Sequence, residues 1–131
     1  MLTGALISLV LLVGIFLFAK YRAAPPLDTP FGNRRISFTS SAATPEAFKR
    51  LTDLPAGPLQ VAHADPASGR LLLEDQPSLA SWGFYYPVTI VAVPEGGSRV
   101  DVGIKSRAFQ FGPLVTRAHE KLVADLKSRL G

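Results

Sequence analysis

The chain has 131 residues, a formal net charge of +4 at neutral pH and no cysteine. The part that follows the first apolar stretch, about 100 residues, has room for one domain with a modest core and not for two. Without cysteine there are no disulfides, thiolate nucleophiles or cysteine metal sites. The mild, dispersed positive charge forms no basic block and no zinc-finger spacing, so no nucleic-acid partner is expected.

Residues 1–20 open with "MLTGALISLVLLVGIFLFA", which holds no charged side chain before Lys20. As a helix this run reaches roughly 27 Å at about 1.5 Å per residue, close to the roughly 30 Å hydrocarbon core of a bilayer, and it predicts a transmembrane helix. A cleaved signal peptide fits less well. A positive n-region is missing, and "FAKYRAA" puts charges where small residues should precede a cleavage site. Lys20, Arg22, Arg34 and Arg35 all follow the span and no basic residue precedes it. The charge-bias rule therefore predicts a single-pass anchor with the remaining chain on the cytoplasmic side. Residues 21–33, "YRAAPPLDTPFGN", lack apolar periodicity and read as a stiff proline-rich tether.

Residues 34–131 read as a small α+β domain. "RRISFTS" alternates, with Ile36 and Phe38 on one face, and predicts a first strand. "TPEAFKRL" predicts a helix with Thr44 as N-cap and Pro45 at its first position. Leu59, Val61 and His63 share one face of the next strand, and "DPASGR" turns it into "LLLED" as a hairpin. The aromatic stretch Trp82, Phe84, Tyr85, Tyr86 leads into "VTIVAV", and "PEGGS" turns the chain into "RVDVGIK". There Val100, Val102 and Ile104 face inward while Arg99, Asp101 and Lys105 face water. From Pro113 onward, Val115, Ala118, Leu122, Leu126 and Leu130 recur at helical spacing and predict an amphipathic helix. The order is β-α-β-β-β-β-α, an antiparallel meander with helices on one face, of the TBP-like or helix-grip kind.

Asp65–Pro66–Ala67–Ser68–Gly69–Arg70, Trp82–Gly83–Phe84 and Gly97–Ser98–Arg99–Val100–Asp101–Val102 stand in an order that resembles the domain of unknown function 1499 family. That family shows a "DPxTGRIEA" hairpin, a "WFGF" strand start and "GSRVDVRSxSR" before a closing helix. The resemblance covers about half the chain. It implies the fold and a membrane-associated bacterial setting, but no catalytic activity. This chain departs from the family where two acidic residues usually follow the aromatic motif and here Tyr85, Tyr86 and Pro87 stand, and where "AFQFGP" replaces a polar stretch.

No motif supplies a reaction. His63 and His119 are the two histidines, and they could meet only across a sheet–helix interface. Their spacing makes no metal site, and there is no nucleophile elbow or phosphate-binding glycine loop. Asp65, Glu74 and Asp75 cap a turn and end a strand. No enzyme, cofactor or metal is expected. The strand from Tyr85 is apolar on both sides, so something must cover its second face. Tyr85, Tyr86, Phe109 and Phe111 are expected as a partner surface, and Arg99, Lys105, Arg107 and Arg117 as an anionic contact. The first functional expectation is a non-enzymatic accessory protein bound to the bilayer and to a membrane protein complex. The alternative is a carrier or sensor that grips a lipid or other apolar molecule in a cavity lined by Phe38, Trp82, Phe84 and Leu122. A hydrolase centred on His63 and His119 is the third.

Overall fold

The computed structural model describes residues 2–21, 34–55, 57, 59–75, 83–106 and 112–130. Its elements are α1 (Leu2–Tyr21), β1 (Arg35–Ser40), α2 (Thr44–Thr52), β2 (Leu59–Asp65), β3 (Arg70–Asp75), β4 (Phe84–Ala92), β5 (Ser98–Gly103), the two-residue β6 (Lys105–Ser106) and α3 (Pro113–Leu130). The expected α+β order is present, with β6 added. The tether lies outside the described residues.

The strands form one antiparallel sheet in the order β1-β5-β4-β3-β2, and β6 pairs with the start of β4. Consecutive strands β2 to β5 make a meander, and β1 closes the far edge against β5 with Ile36 opposite Val102 and Phe38 opposite Val100. Side chains alternate across a strand, so Phe38, Leu71, Leu73, Phe84, Tyr86, Val88, Ile90, Val100 and Val102 all look to one side. There they form a single core with Ala47 and Leu51 of α2 and Val115, Leu122, Val123, Leu126 and Leu130 of α3. Each large apolar side chain buried this way contributes roughly 1.5–3 kcal/mol. Both helices therefore cover the same face.

Four expectations are corrected. Among the described residues no helix is long and apolar enough to cross a membrane, which overturns the single-pass anchor and with it the cytoplasmic placement of the domain. The helix nonetheless exposes apolar side chains all round, from 46% at Leu17 to 62% at Val10. Second, α2 begins at Thr44 with Ala43 as its N-cap, and no side chain caps it. Pro45 sits in the first turn as expected.

Third, the register of β2 against β3 shifts between Val61 and His63. Val61 pairs with Leu73 on the core face, whereas His63 pairs with Leu72 on the opposite face. An extra residue in one strand flips all that follow, so His63 does not share a face with Leu59 and Val61. Fourth, the face away from the helices is not uniformly wet. Leu72 and Tyr85 are each 1% exposed and Asp101 is 6% exposed. Asp101 Oδ1 accepts a hydrogen bond from Ser37 Oγ at 2.6 Å and an ion-pair contact from Arg99 Nε at 3.3 Å. A carboxylate can be buried there because it is paired.

Candidate functional site

The hairpin between β2 and β3 is built by its own side chains. Asp65 Oδ1 accepts from the Ala67 backbone N–H at 3.2 Å, and Asp65 Oδ2 accepts from Ser68 Oγ at 2.8 Å. This is the local bonding that makes aspartate a turn former. Gly69 then adopts φ 68°, and its carbonyl accepts from the Ile90 N–H at 2.8 Å. A Cβ at Gly69 would collide with the Ile90 carbonyl oxygen, so only glycine lets the turn lie directly on β4.

With the turn pinned there, its outer rim faces the start of α2 across a gap. The result is a half-open cleft of about 640 Å³. Thr44, Pro45 and Phe48 of α2 form one wall, the turn 66–69 forms the other, and residues 90–92 of β4 form the floor. Of these, only Thr44 and Ser68 carry a polar side chain, and none is charged. The volume falls within the range of small-molecule pockets, and a mostly apolar wall with a few fixed polar groups is their usual composition. No residue in this wall was expected as a site residue. The only signal in the sequence was the turn itself, which belongs to one wall of three.

The residues expected as site residues fall elsewhere. Phe38, Phe84 and Leu122 lie in the packed core, all at most 8% exposed, and none lines the cleft; Trp82 lies outside the described residues. Lys127 Nζ sits 5.6 Å from the centre of the Phe38 ring, closing that end of the core. Tyr85 and Tyr86 are 1% and 3% exposed, so their rings are walls of the fold where a contact surface would need them open. Burial and the nearby Asp75 carboxylate push the Tyr86 hydroxyl far above its usual range. Phe109 and Phe111 lie outside the described residues.

The basic residues do not converge. Arg99 pairs with Asp101 at one end of β5, Lys105 is exposed beyond its other end, about 20 Å along the strand direction, and Arg117 is exposed on α3. Arg107 lies outside the described residues. The histidines do not meet either. His63 is exposed on the face away from the helices, and His119 is buried under α3, where its Nε2–H donates to the Val102 carbonyl at 2.7 Å. Burial lowers the His119 pKa, the bond to Val102 opposes that and nearby Arg34 adds to it, with Glu120 opposing. Among the described residues no group of three histidine or acidic side chains could hold a metal ion.

The chain matches no family model and no curated protein. Among solved structures it is similar to that of Ara h 8.0201, with a TM-score of 0.53 at 11% sequence identity over 74% of this chain and 93% of that chain. At that identity the likeness carries the fold, an antiparallel sheet backed by helices, and nothing further.

Several residues of the 65–70 and 97–102 stretches hold structural positions. Asp65 and Gly69 build the pinned turn. Gly97, at φ 85°, packs so closely on the Ser40 carbonyl that a Cβ would collide with it. Ser98 Oγ donates to the Ala42 carbonyl at 2.8 Å, tying β5 to the entry of α2.

Proposed function

We propose that this chain is a non-enzymatic binding protein, a carrier or sensor that holds an apolar small molecule in the cleft between α2, the β2–β3 turn and the end of β4. The observation that carries this reading is the cleft itself: about 640 Å³ with an uncharged, mainly apolar lining. Its walls are fixed before any ligand arrives, because the turn is bonded internally and to β4. Preorganisation of this kind lowers the entropic cost of binding. Titration with the neutral dye Nile red is the test. The full chain is expected to bind it with a blue-shifted emission, and Ala67→Trp, which fills the cleft from an exposed turn position, is expected to weaken binding at least tenfold with an unchanged circular dichroism spectrum. Binding that survives Ala67→Trp but is lost in Leu9→Glu with Leu12→Glu would put the dye on α1 and overturn the cleft.

A second reading, an accessory protein that docks on another polypeptide, is favoured by α1. Its exposed Leu6, Leu9, Val10, Leu12 and Phe18 form an apolar surface of the sort that marks interaction sites. Cross-linking mass spectrometry that places α1 against a stoichiometric partner would support it, and cross-links confined to the chain itself would count against it.

A further inference from the structure

We propose that the cleft selects an uncharged apolar molecule bearing a hydrogen-bond donor, an alcohol or a phenol, over the matching carboxylate. This rests on the reading of the cleft as a ligand site. Ser68 lines the cleft and has one hydroxyl hydrogen, which is committed to Asp65 Oδ2 at 2.8 Å, with the Asp65 carbonyl at 3.5 Å on the same side. What Ser68 presents to a ligand is therefore lone pairs only. A ligand group that meets it must donate.

A hydroxyl can do so; a carboxylate is acceptor-only and has no hydrogen to offer those lone pairs. The lining contains no lysine or arginine to pair with an anion, and the carboxylate bonded to Ser68, that of Asp65, has the wrong sign. An ammonium donates, but Asp65 already accepts from Ser68 Oγ and from the Ala67 N–H and does not line the cleft. A cation would exchange its hydration for hydroxyl oxygens alone, an unfavourable trade in an apolar wall. The apolar body of the ligand lies between Phe48 and Ile90.

The experiment is displacement of Nile red from the full chain at pH 8 by dodecanol, dodecyl methyl ether, dodecanoate and dodecylamine. Dodecanol is expected to displace the dye at a concentration at least tenfold below that of dodecanoate, with the ether in between, since it keeps neutrality and loses the donor. Asp65→Asn, which removes the charge and keeps an oxygen for the Ala67 N–H, is expected to narrow the alcohol-to-carboxylate gap, as is added salt in the parent chain. If dodecanoate or dodecylamine displaces as well as the alcohol, the selectivity is wrong while the ligand site stands. If none of the four displaces the dye, or the dye does not bind, the ligand site itself fails.

Discussion

The two helices meet the sheet in opposite ways. Under α3 the space is filled: Leu122, Val123, Leu126 and Leu130 are at most 6% exposed against Val100, Val102 and Phe38, and even the one imidazole there has its hydrogen bond. Beside α2, only Ala47 and Leu51 reach full burial, while Phe48 is left half-buried on the rim of the cleft. A long helix with an apolar residue at every turn closes its interface. A nine-residue helix that starts with Thr44 and Pro45 brings too few apolar side chains to fill the corner above the hairpin. The filled part and the open part belong to one core, and this division of labour suits binding proteins, where rigid packing supports a vacant site.

Substitutions at the two ends should therefore differ sharply. The largest effect belongs to Leu122→Asp, which puts an unpaired carboxylate into the filled side and should cost of order 3–5 kcal/mol, enough to unfold much of the population, seen as loss of the cooperative thermal transition. Retention of that transition at the parental Tm would show that α3 is not packed as described. Next, Leu126→Ala should cost about 2–5 kcal/mol, against about 1 kcal/mol for Phe48→Ala on the open side. Equal losses by urea denaturation would erase the distinction between the two ends.

A third comparison sets two turn glycines against each other. Both Gly69 and Gly96 have positive φ, but a Cβ at Gly96 meets nothing within 4 Å whereas one at Gly69 meets the Ile90 backbone. Gly96→Ala should cost about 1 kcal/mol, and Gly69→Ala roughly 2–3 kcal/mol, since it adds a collision to the strain. A Gly69→Ala variant as stable as Gly96→Ala would mean that the turn is not held against β4.

The smallest effect is one of pH. The folded-state pKa of His119 lies below its unfolded value of about 6.5, so the unfolded chain takes up this proton first as pH falls. Its contribution is fully present above about pH 6.5 and is lost as pH drops from there through the folded-state value. Tm should decline across that window in the parent chain, and His119→Gln should flatten the decline. An identical slope in the variant would remove His119 from the acid response.

Much of the fold was legible in the sequence because its signals are local. Alternation in "RVDVGIK", the "DPASGR" and "PEGGS" turns and the apolar spacing after Pro113 each report on fewer than twenty residues, and each element stands where those patterns put it. The β2 bulge was not legible, since an alternating pattern gives no sign that the partner strand slips by one residue at His63. Nor was the burial of Tyr85 and Tyr86: their polar tips suggested a surface, but β4 is the central strand, with Tyr85 opposite Glu74 of β3 and Lys105 of β6 and Tyr86 opposite Leu73. The cleft as a whole was not legible beyond its turn, because its three walls come from separate elements, α2, the hairpin and β4, and only tertiary placement brings them together.

The closing of β1 onto β5 has a consequence in time. Apart from the two-residue β6 on β4, every other pairing in the sheet joins consecutive strands, but Ser37 must find Asp101 across 64 residues, and the Leu130 carbonyl at the end of α3 then receives Arg50 Nη1 from α2 at 3.2 Å. Short-range hairpins form early and distant contacts wait on loop closure. The meander β2 to β5 is thus the first part of the domain able to assemble during synthesis. β1, although made earlier, stays without its strand partner until β5 has emerged, and the α2 clamp is set only when the last turn of α3 has left the ribosome.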